Sequence, residues 1–207
     1  MDSAGLIGNL GGSFIYRVLH KPLPGRTAHL KMAPPWRQDS LEAKARYRPS
    51  AVLLLLYPEA GELWFPLIRR SGHLHHHPNQ IGFPGGALEP GETAETAALR
   101  ESQEELGIQP EPVRILGQLS PLGVSVSDYT IFPVVGFQEE RPAFRPNPNE
   151  VAQWFTVSLA ELLREESIIN LELEDGRAVP AYKLSGEPVW GATAMILAEF
   201  AMLLGSI

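Results

Sequence analysis

Gly85-Gly86-Ala87-Leu88-Glu89-Pro90-Gly91-Glu92 leads into a segment that ends Leu99-Arg100-Glu101-Ser102-Gln103-Glu104-Glu105-Leu106-Gly107. Residues 91–107 read as an α-helix: alanine-rich, free of internal proline, with Thr93 near the start and Gly107 as the stop. At about 100° per residue, Glu101, Glu104 and Glu105 fall within an arc of roughly 100° and form one acidic face. The i, i+4 pair Glu101 and Glu105 repels by a few tenths (~0.3) of a kcal/mol, and no lysine in the helix relieves it. A divalent cation between the carboxylates would. Ala94, Ala97 and Ala98 continue the same face, so another backbone can come close, and Gly85-Gly86 supplies a chain able to do so. Hard oxygen ligands in this number suit Mg²⁺ or Mn²⁺ better than zinc. Taken alone, the carboxylate triplet also fits a solvated acidic helix face.

Upstream of the glycines, residues 50–57 run continuously apolar, as a central strand covered on both faces would. Pro58 to Gly61 form a turn, and residues 62–68 return as a second strand in which Pro66 argues for an edge or a bulge. Downstream, strands are expected at 113–119, 129–137 and 151–157, with a short helix near 159–164. Asp175-Gly176 reads as a two-residue hairpin turn between strands 168–173 and 178–184. A last helix near 192–204 carries apolar residues at helical spacing and should pack on the sheet. Residues 1–49 are rich in Gly, Pro and basic residues without a sustained period. They are expected to be a loosely structured lead-in, with residues 50–207 forming the catalytic domain. No repeat of fixed period is found.

The composition narrows the function. At 207 residues and 44% hydrophobic content, the chain has material for one sizeable core. A formal net charge of −7 disfavours a nucleic-acid partner, whose grip would need a broad basic surface. The count of zero cysteines excludes thiolate metal sites and thiol nucleophiles and fits a reducing cytoplasm. Neither a secretory leader nor an apolar stretch near the roughly 20 residues of a membrane span is read here. A homodimer is compatible with the sequence.

The full spacing is more specific than the triplet. Gly86, five residues, Glu92, seven residues, then Arg100-Glu101-x-x-Glu104-Glu105-x-Gly107-Ile108 resembles the Nudix box at nearly every defined position. The one departure is Ser102, where the family usually has an aliphatic residue; looser local packing is expected there. The resemblance implies a Nudix-type α/β/α sandwich around a mixed sheet, with Mg²⁺ or Mn²⁺ held by Glu101, Glu104, Glu105 and the Gly86 carbonyl. It further implies that Arg100 orients the glutamates, that Glu104 or Glu101 helps to deprotonate water, and that the substrate is a small diphosphate. Glu92 looks like the family's supporting carboxylate, or an acid favouring the positive end of the helix.

Residues 70–86, Arg70-Ser71-Gly72-His73-Leu74-His75-His76-His77-Pro78-Asn79-Gln80-Ile81-Gly82-Phe83-Pro84-Gly85-Gly86, resemble the signature of the coenzyme A diphosphatase branch of that family. Matches are Arg70, Ser71, Leu74, His77, Gln80 and the Phe83-Pro84-Gly85-Gly86 run. Residues 116–122, 132–137 and 190–194 extend the likeness. His75 stands where the branch has arginine, Asn79 where it has glycine, and Ile68 where it often has threonine. A neutral imidazole does not reproduce a bidentate guanidinium on phosphate. Substrate contacts are therefore expected from Arg69, Arg70, His77 and Gln80. Each arginine reads equally as an exposed strand-end cation, and the four histidines as a solvated loop or a second metal site. Glu150 is a further base or ligand candidate, in competition with Glu139 and Glu140 and with the plain reading of a surface acid.

Overall fold

The structure is a computed structural model that describes residues 11–44, 46–72 and 79–205. Its centre is β1, Arg48–Glu59, whose apolar run is buried on both faces as expected. Ala51, Leu53 and Leu55 join one core cluster and Leu54 and Leu56 the other, so alternate side chains feed opposite layers. Ala60 and Gly61, both at positive φ, turn the chain into β2, Glu62–Arg70. The turn is thus shorter than the expected Pro58–Gly61, because the strand continues through Pro58 and Glu59. Next come β3, Ile81–Gly82, β4, Gly85–Ala87, and the first long helix after them, Ala94–Leu106.

Two short helices precede the sheet, so in chain order α1 is Gly12–Leu19, α2 is Arg26–Met32 and α3 is Ala94–Leu106. Beyond α3 lie β5, Arg114–Gln118, β6, Leu122–Val124, β7, Tyr129–Phe137, and β8, Val151–Ser158. The chain closes with α4, Leu159–Leu162, the strands β9, Ile168–Glu172, β10, Ala178–Leu184, and β11, Glu187–Trp190, and α5, Ala192–Leu203.

The sheet is mixed. β1 pairs parallel with β7 from Arg48↔Tyr129 to Leu56↔Phe137 and antiparallel with β4 at Ser50↔Ala87. β2 leaves β1 after Trp64, pairs with β8 along its length and meets β3 at Ile68. Pro66 falls in the gap between those two partners, where a missing N–H breaks no ladder on that side. Ala97, Ala98 and Leu106 of α3 cover one face, while α5 with α1 and α2 covers the other. Helices on both faces of a mixed sheet are the α/β arrangement expected. No helix among the described residues is long and apolar enough to cross a membrane.

Two expectations need correction. The segment expected to be loosely structured is helical over α1, α2 and a 3-10 turn at Pro35–Ser40, and Ile15, Leu19 and Met32 lie in the main core. It is also tethered through a buried carboxylate. Glu199 of α5 accepts from the Gly25 N–H at 3.0 Å, the Ser120 N–H at 3.1 Å and the Ser120 hydroxyl at 2.6 Å, and meets His29 Nε2 at 3.0 Å. The β9–β10 hairpin, in turn, is wider than a two-residue turn. Leu173 N–H binds Arg177 O at 2.8 Å and Gly176 N–H binds Leu173 O at 2.9 Å, with Gly176 at φ 79°. That makes a three-residue loop, Glu174-Asp175-Gly176, with Gly176 in the left-handed position that such loops need.

Candidate functional site

The site begins where α3 meets β4. Thr93 caps the helix by accepting from the Thr96 N–H, and Thr96 reciprocates from its side chain. At the other end Gly107, at φ 69°, lets its N–H reach back to Gln103 O. Between these caps the helix lies so close to β4 that a methyl on Gly86 would overlap the Glu101 carboxylate, and one on Gly85 would strike Ala51 O and Val52. The close approach expected of the glycine pair is therefore present, with a glutamate filling the space. Ser102 is fully buried and donates to Ala98 O at 2.7 Å, so its hydroxyl is satisfied within the helix and leaves no polar group stranded.

Four carboxylates surround this contact in different states. Glu105 is 1% exposed and accepts from the Gly85 N–H at 2.8 Å and from Arg70 at 2.9 Å. Burial pushes its carboxyl up to about 7, with Glu101 and Glu150 adding repulsion and Arg70 and the Gly85 N–H opposing. Glu101 is also raised, chiefly by burial, against the pull of Arg100. Glu104, half exposed, takes Arg100 at 3.2 Å. Glu150 is held by Asn147 Nδ2 at 3.2 Å, and its charge reaches both Glu101 and Glu105. Its competitor Glu139 instead faces Arg114 at 3.9 Å.

Arg100 organises the outer part of the cluster. Its guanidinium binds Glu92 twice, at 2.8 and 3.0 Å, Glu101 at 2.8 Å and Ala87 O at 3.1 Å. The double contact draws the Glu92 carboxyl down to about 2 and ties the loop before α3 to its acidic face. Arg69 and Arg70, weighed together as phosphate clamps, part company. Arg70 turns to Glu105, whereas Arg69 binds Glu187 of β11 at 2.7 Å and Asn79 O at 3.1 Å. His77, with His73, His75 and His76, lies outside the described residues.

Whether these residues fit a metal is a question of donors and of space. Among the described residues no three acidic or imidazole side chains are gathered around one point, and Arg70 and Arg100 engage oxygens of Glu101, Glu104 and Glu105. The donor set nevertheless suits a hard divalent cation. Glu101 and Glu105 are desolvated, mutually repelling carboxylates beside Gly86, and cationic charge there would lower both pKa values.

A cleft of about 250 Å³ opens beside the cluster, with Arg70, Gly85 and Gly86 at one end and Gln80 on its wall. Apolar side chains, including Val52, Phe83, Ile131 and Ile196, line most of the rest. Phe83 stood in the branch signature, but Val52, Ile131 and Ile196 were not picked out from sequence as cleft residues, because pocket-facing aliphatics look the same as core-facing ones. Arg70, Gln80, Phe83, Gly85 and Gly86 carried the main signal, with Ala192 and Thr193 in a stretch that extended the likeness.

This arrangement agrees with what known proteins share. The NUDIX domain family matches residues 46–181, well over half of the chain. The chain belongs to the Nudix family. A Nudix hydrolase of Pectobacterium atrosepticum named NudL, described as uncharacterised, is 38% identical over 170 residues, spanning 79% of this chain and 86% of the relative. Its Escherichia coli K12 namesake is 36% identical over 165 residues, 77% of this chain and 84% of the relative. Among solved structures, a Nudix hydrolase from M. smegmatis, RenU, superposes with a TM-score of 0.56 at 21% identity, over 78% of this chain and 88% of that one. A MutT protein from Methanosarcina mazei Go1 gives 0.53 at 22% identity, over 80% and 100%. As a Nudix hydrolase the chain acts on pyrophosphate bonds, and the family generally uses divalent metal ions.

Proposed function

We propose that this Nudix hydrolase cleaves the diphosphate of coenzyme A or an acyl derivative, giving 4′-phosphopantetheine and adenosine 3′,5′-bisphosphate. The observation that carries the reading is the junction of two elements: desolvated Glu101 and Glu105 beside the Gly85-Gly86 strand, opening onto a largely apolar cleft. The Arg70 to Gly86 segment, which resembles the coenzyme A branch, supplies the cleft's polar end through Arg70, Gln80, Gly85 and Gly86. An apolar wall suits a nucleobase or a pantetheine arm better than a sugar. We place this activity in the cytoplasm, on the cysteine-free composition.

Glu101, Glu104, Glu105 and the Gly86 carbonyl would hold Mg²⁺ or Mn²⁺, with Glu150 as an additional ligand or base. When bound there, such an ion would supply a lowered water pKa and charge neutralisation on the diphosphate. Arg100 gathers Glu92, Glu101 and Glu104 through its guanidinium and would yield its contacts to Glu101 and Glu104 to an arriving ion while keeping Glu92. Glu104 or Glu101 would take a proton from water, Glu104 being the most exposed of the three helix glutamates. Arg70 neutralises Glu105 and lies at the cleft where a phosphate would arrive. His77 is carried as a substrate contact on the resemblance alone. Arg69 is likewise carried as a substrate contact on the resemblance, with Glu187 engaging its guanidinium.

A substrate panel with Mg²⁺ and product identification tests the assignment. Coenzyme A is expected to be cleaved and Glu104→Gln to lower kcat by at least about a hundredfold. Hydrolysis of ADP-ribose or a nucleotide sugar without coenzyme A would move the protein to the second reading. A non-catalytic nucleotide-binding module would bind but turn over neither; the retained carboxylates speak against it.

A further inference from the structure

Glu150 lies near enough to the acidic face of α3 for its charge to act on Glu101 and Glu105, yet it comes from the loop before β8. Its backbone is pinned by the Ser71 N–H, which donates to Glu150 O at 2.8 Å, next to the Arg70↔Val151 pair of β2 and β8. A strand ladder fixes the backbone and leaves the side-chain rotamer open. Repelled by two neighbouring carboxylates, a free side chain would turn to solvent.

Asn147 holds it. Its Nδ2 donates to Glu150 Oε1 at 3.2 Å, while its Oδ1 accepts from the Asn149 N–H at 3.1 Å. A backbone N–H can only donate, so this second bond fixes which end of the amide is oxygen and leaves the NH₂ end for the carboxylate. Asn147 is itself well fixed, with Pro146 and Pro148 on either side restricting the chain. Its N–H donates to Glu105 O at 2.9 Å, and its carbonyl accepts from the Glu150 and Val151 N–H groups at 3.1 and 2.9 Å. Arg145 N–H likewise donates to Leu106 O at 2.7 Å. Residues 145–151 are thereby fastened to the end of α3, whose last carbonyls lack partners within the helix.

We propose that Asn147 is a positioning residue whose amide holds the Glu150 carboxylate beside Glu101 and Glu105, where Glu150 serves hydrolysis. The inference rests on the reading of Glu150 as an additional ligand or base and deepens it. Two separable functions meet in this one side chain. The oxygen shapes the loop by accepting from the Asn149 N–H, which an aspartate does equally well. The NH₂ group aims Glu150, which an ionised aspartate cannot do because it has no donor. Aspartate at this position therefore keeps the first function and turns the second into repulsion.

Asn147→Asp, Glu150→Gln and the double variant separate these functions, with coenzyme A and ADP-ribose both assayed at one fixed Mg²⁺ concentration. Asn147→Asp is expected to lower kcat by about tenfold or more, with KM within about twofold of wild type. In the Glu150→Gln background the same substitution should lower kcat by less than about twofold further. Metal-free crystal structures should show the bond from the Asn149 N–H kept and the Glu150 carboxylate turned away from residue 147. Wild-type kcat in Asn147→Asp beside an impaired Glu150→Gln overturns the proposal and leaves Asn147 as a turn former. So does an equal fall in both backgrounds, since Asn147 would then act without Glu150. A Glu150→Gln protein with wild-type kcat also overturns it, by removing Glu150 from the reaction, while Glu101, Glu104 and Glu105 keep the diphosphatase reading. Cleavage of ADP-ribose alone rejects the coenzyme A reading, and the same pattern in kcat then supports the role of Asn147.

Discussion

Gly86 lacks a side chain because the Glu101 carboxylate occupies the space where one would go. That contact removes water from a carboxylate which would otherwise be solvated at a helix surface, and the same strand does so more completely to Glu105. The consequence for pH follows from the sign of the shift. Glu105 is raised from 4.5 to about 7, so between those values the folded chain holds a proton that the unfolded chain has released. The stabilisation is full below the unfolded value and is lost as pH rises through about 7. Metal-free protein should therefore lose stability across that window with a slope of at most one proton, ~1.4 kcal/mol per pH unit. Glu105→Gln should flatten the slope, as measured by urea unfolding at a series of pH values. An unchanged slope would mean that Arg70 keeps Glu105 ionised throughout.

At the scale of elements, α3 shows how far local rules reach. Its expected span, 91–107, exceeds the observed Ala94–Leu106 only at the ends, because alanine content, Thr93 and Gly107 are strong local signals. Gly107 also has a tertiary reason: a Cβ there would come within 2.8 Å of Arg145 Cβ. Gly107→Ala should cost about 1–2 kcal/mol in denaturant unfolding, from the positive φ and the contact together. A loss within ~0.3 kcal/mol would show that the helix end relaxes freely. Strand β7 was legible to the residue, since its apolar run is long and bounded by turns. Helices α1 and α2 were not. They have 8 and 7 residues, sit among glycines and prolines, and are too short for a period to stand out. Their stability comes from packing rather than propensity, which a local reading does not weigh.

Across the whole molecule the N-terminal helices are part of the core. Glu199, fully buried in a helix that is apolar apart from it and Thr193, gathers His29, Gly25 and Ser120 from two separate segments. Its pKa is lowered, the hydrogen bonds from His29, Ser120 and Gly25 outweighing its burial. Nothing in the sequence pairs residue 199 with residue 29, so this link was illegible until the chain was folded. Glu199→Ala leaves buried donors without an acceptor and should cost ~3 kcal/mol in chemical unfolding. A loss below ~1 kcal/mol would mean that the N-terminal helices dock without it. The acidic face of the site, by contrast, was readable from spacing. The pairing with Arg100 and the candidacy of Glu150 came from the family resemblance, whereas the Arg70–Glu105 contact had no signal in the sequence.

The proposed divalent-metal site is formed by Glu101, Glu104 and Glu105 against the Gly86 strand. Mn²⁺ titration followed by electron paramagnetic resonance, on wild type and on Glu101→Gln/Glu105→Gln, tests it without substrate. Wild type is expected to bind stoichiometrically and the double variant at least about tenfold more weakly, with its circular dichroism unchanged. Equal Mn²⁺ affinity in the two folded proteins would contradict it.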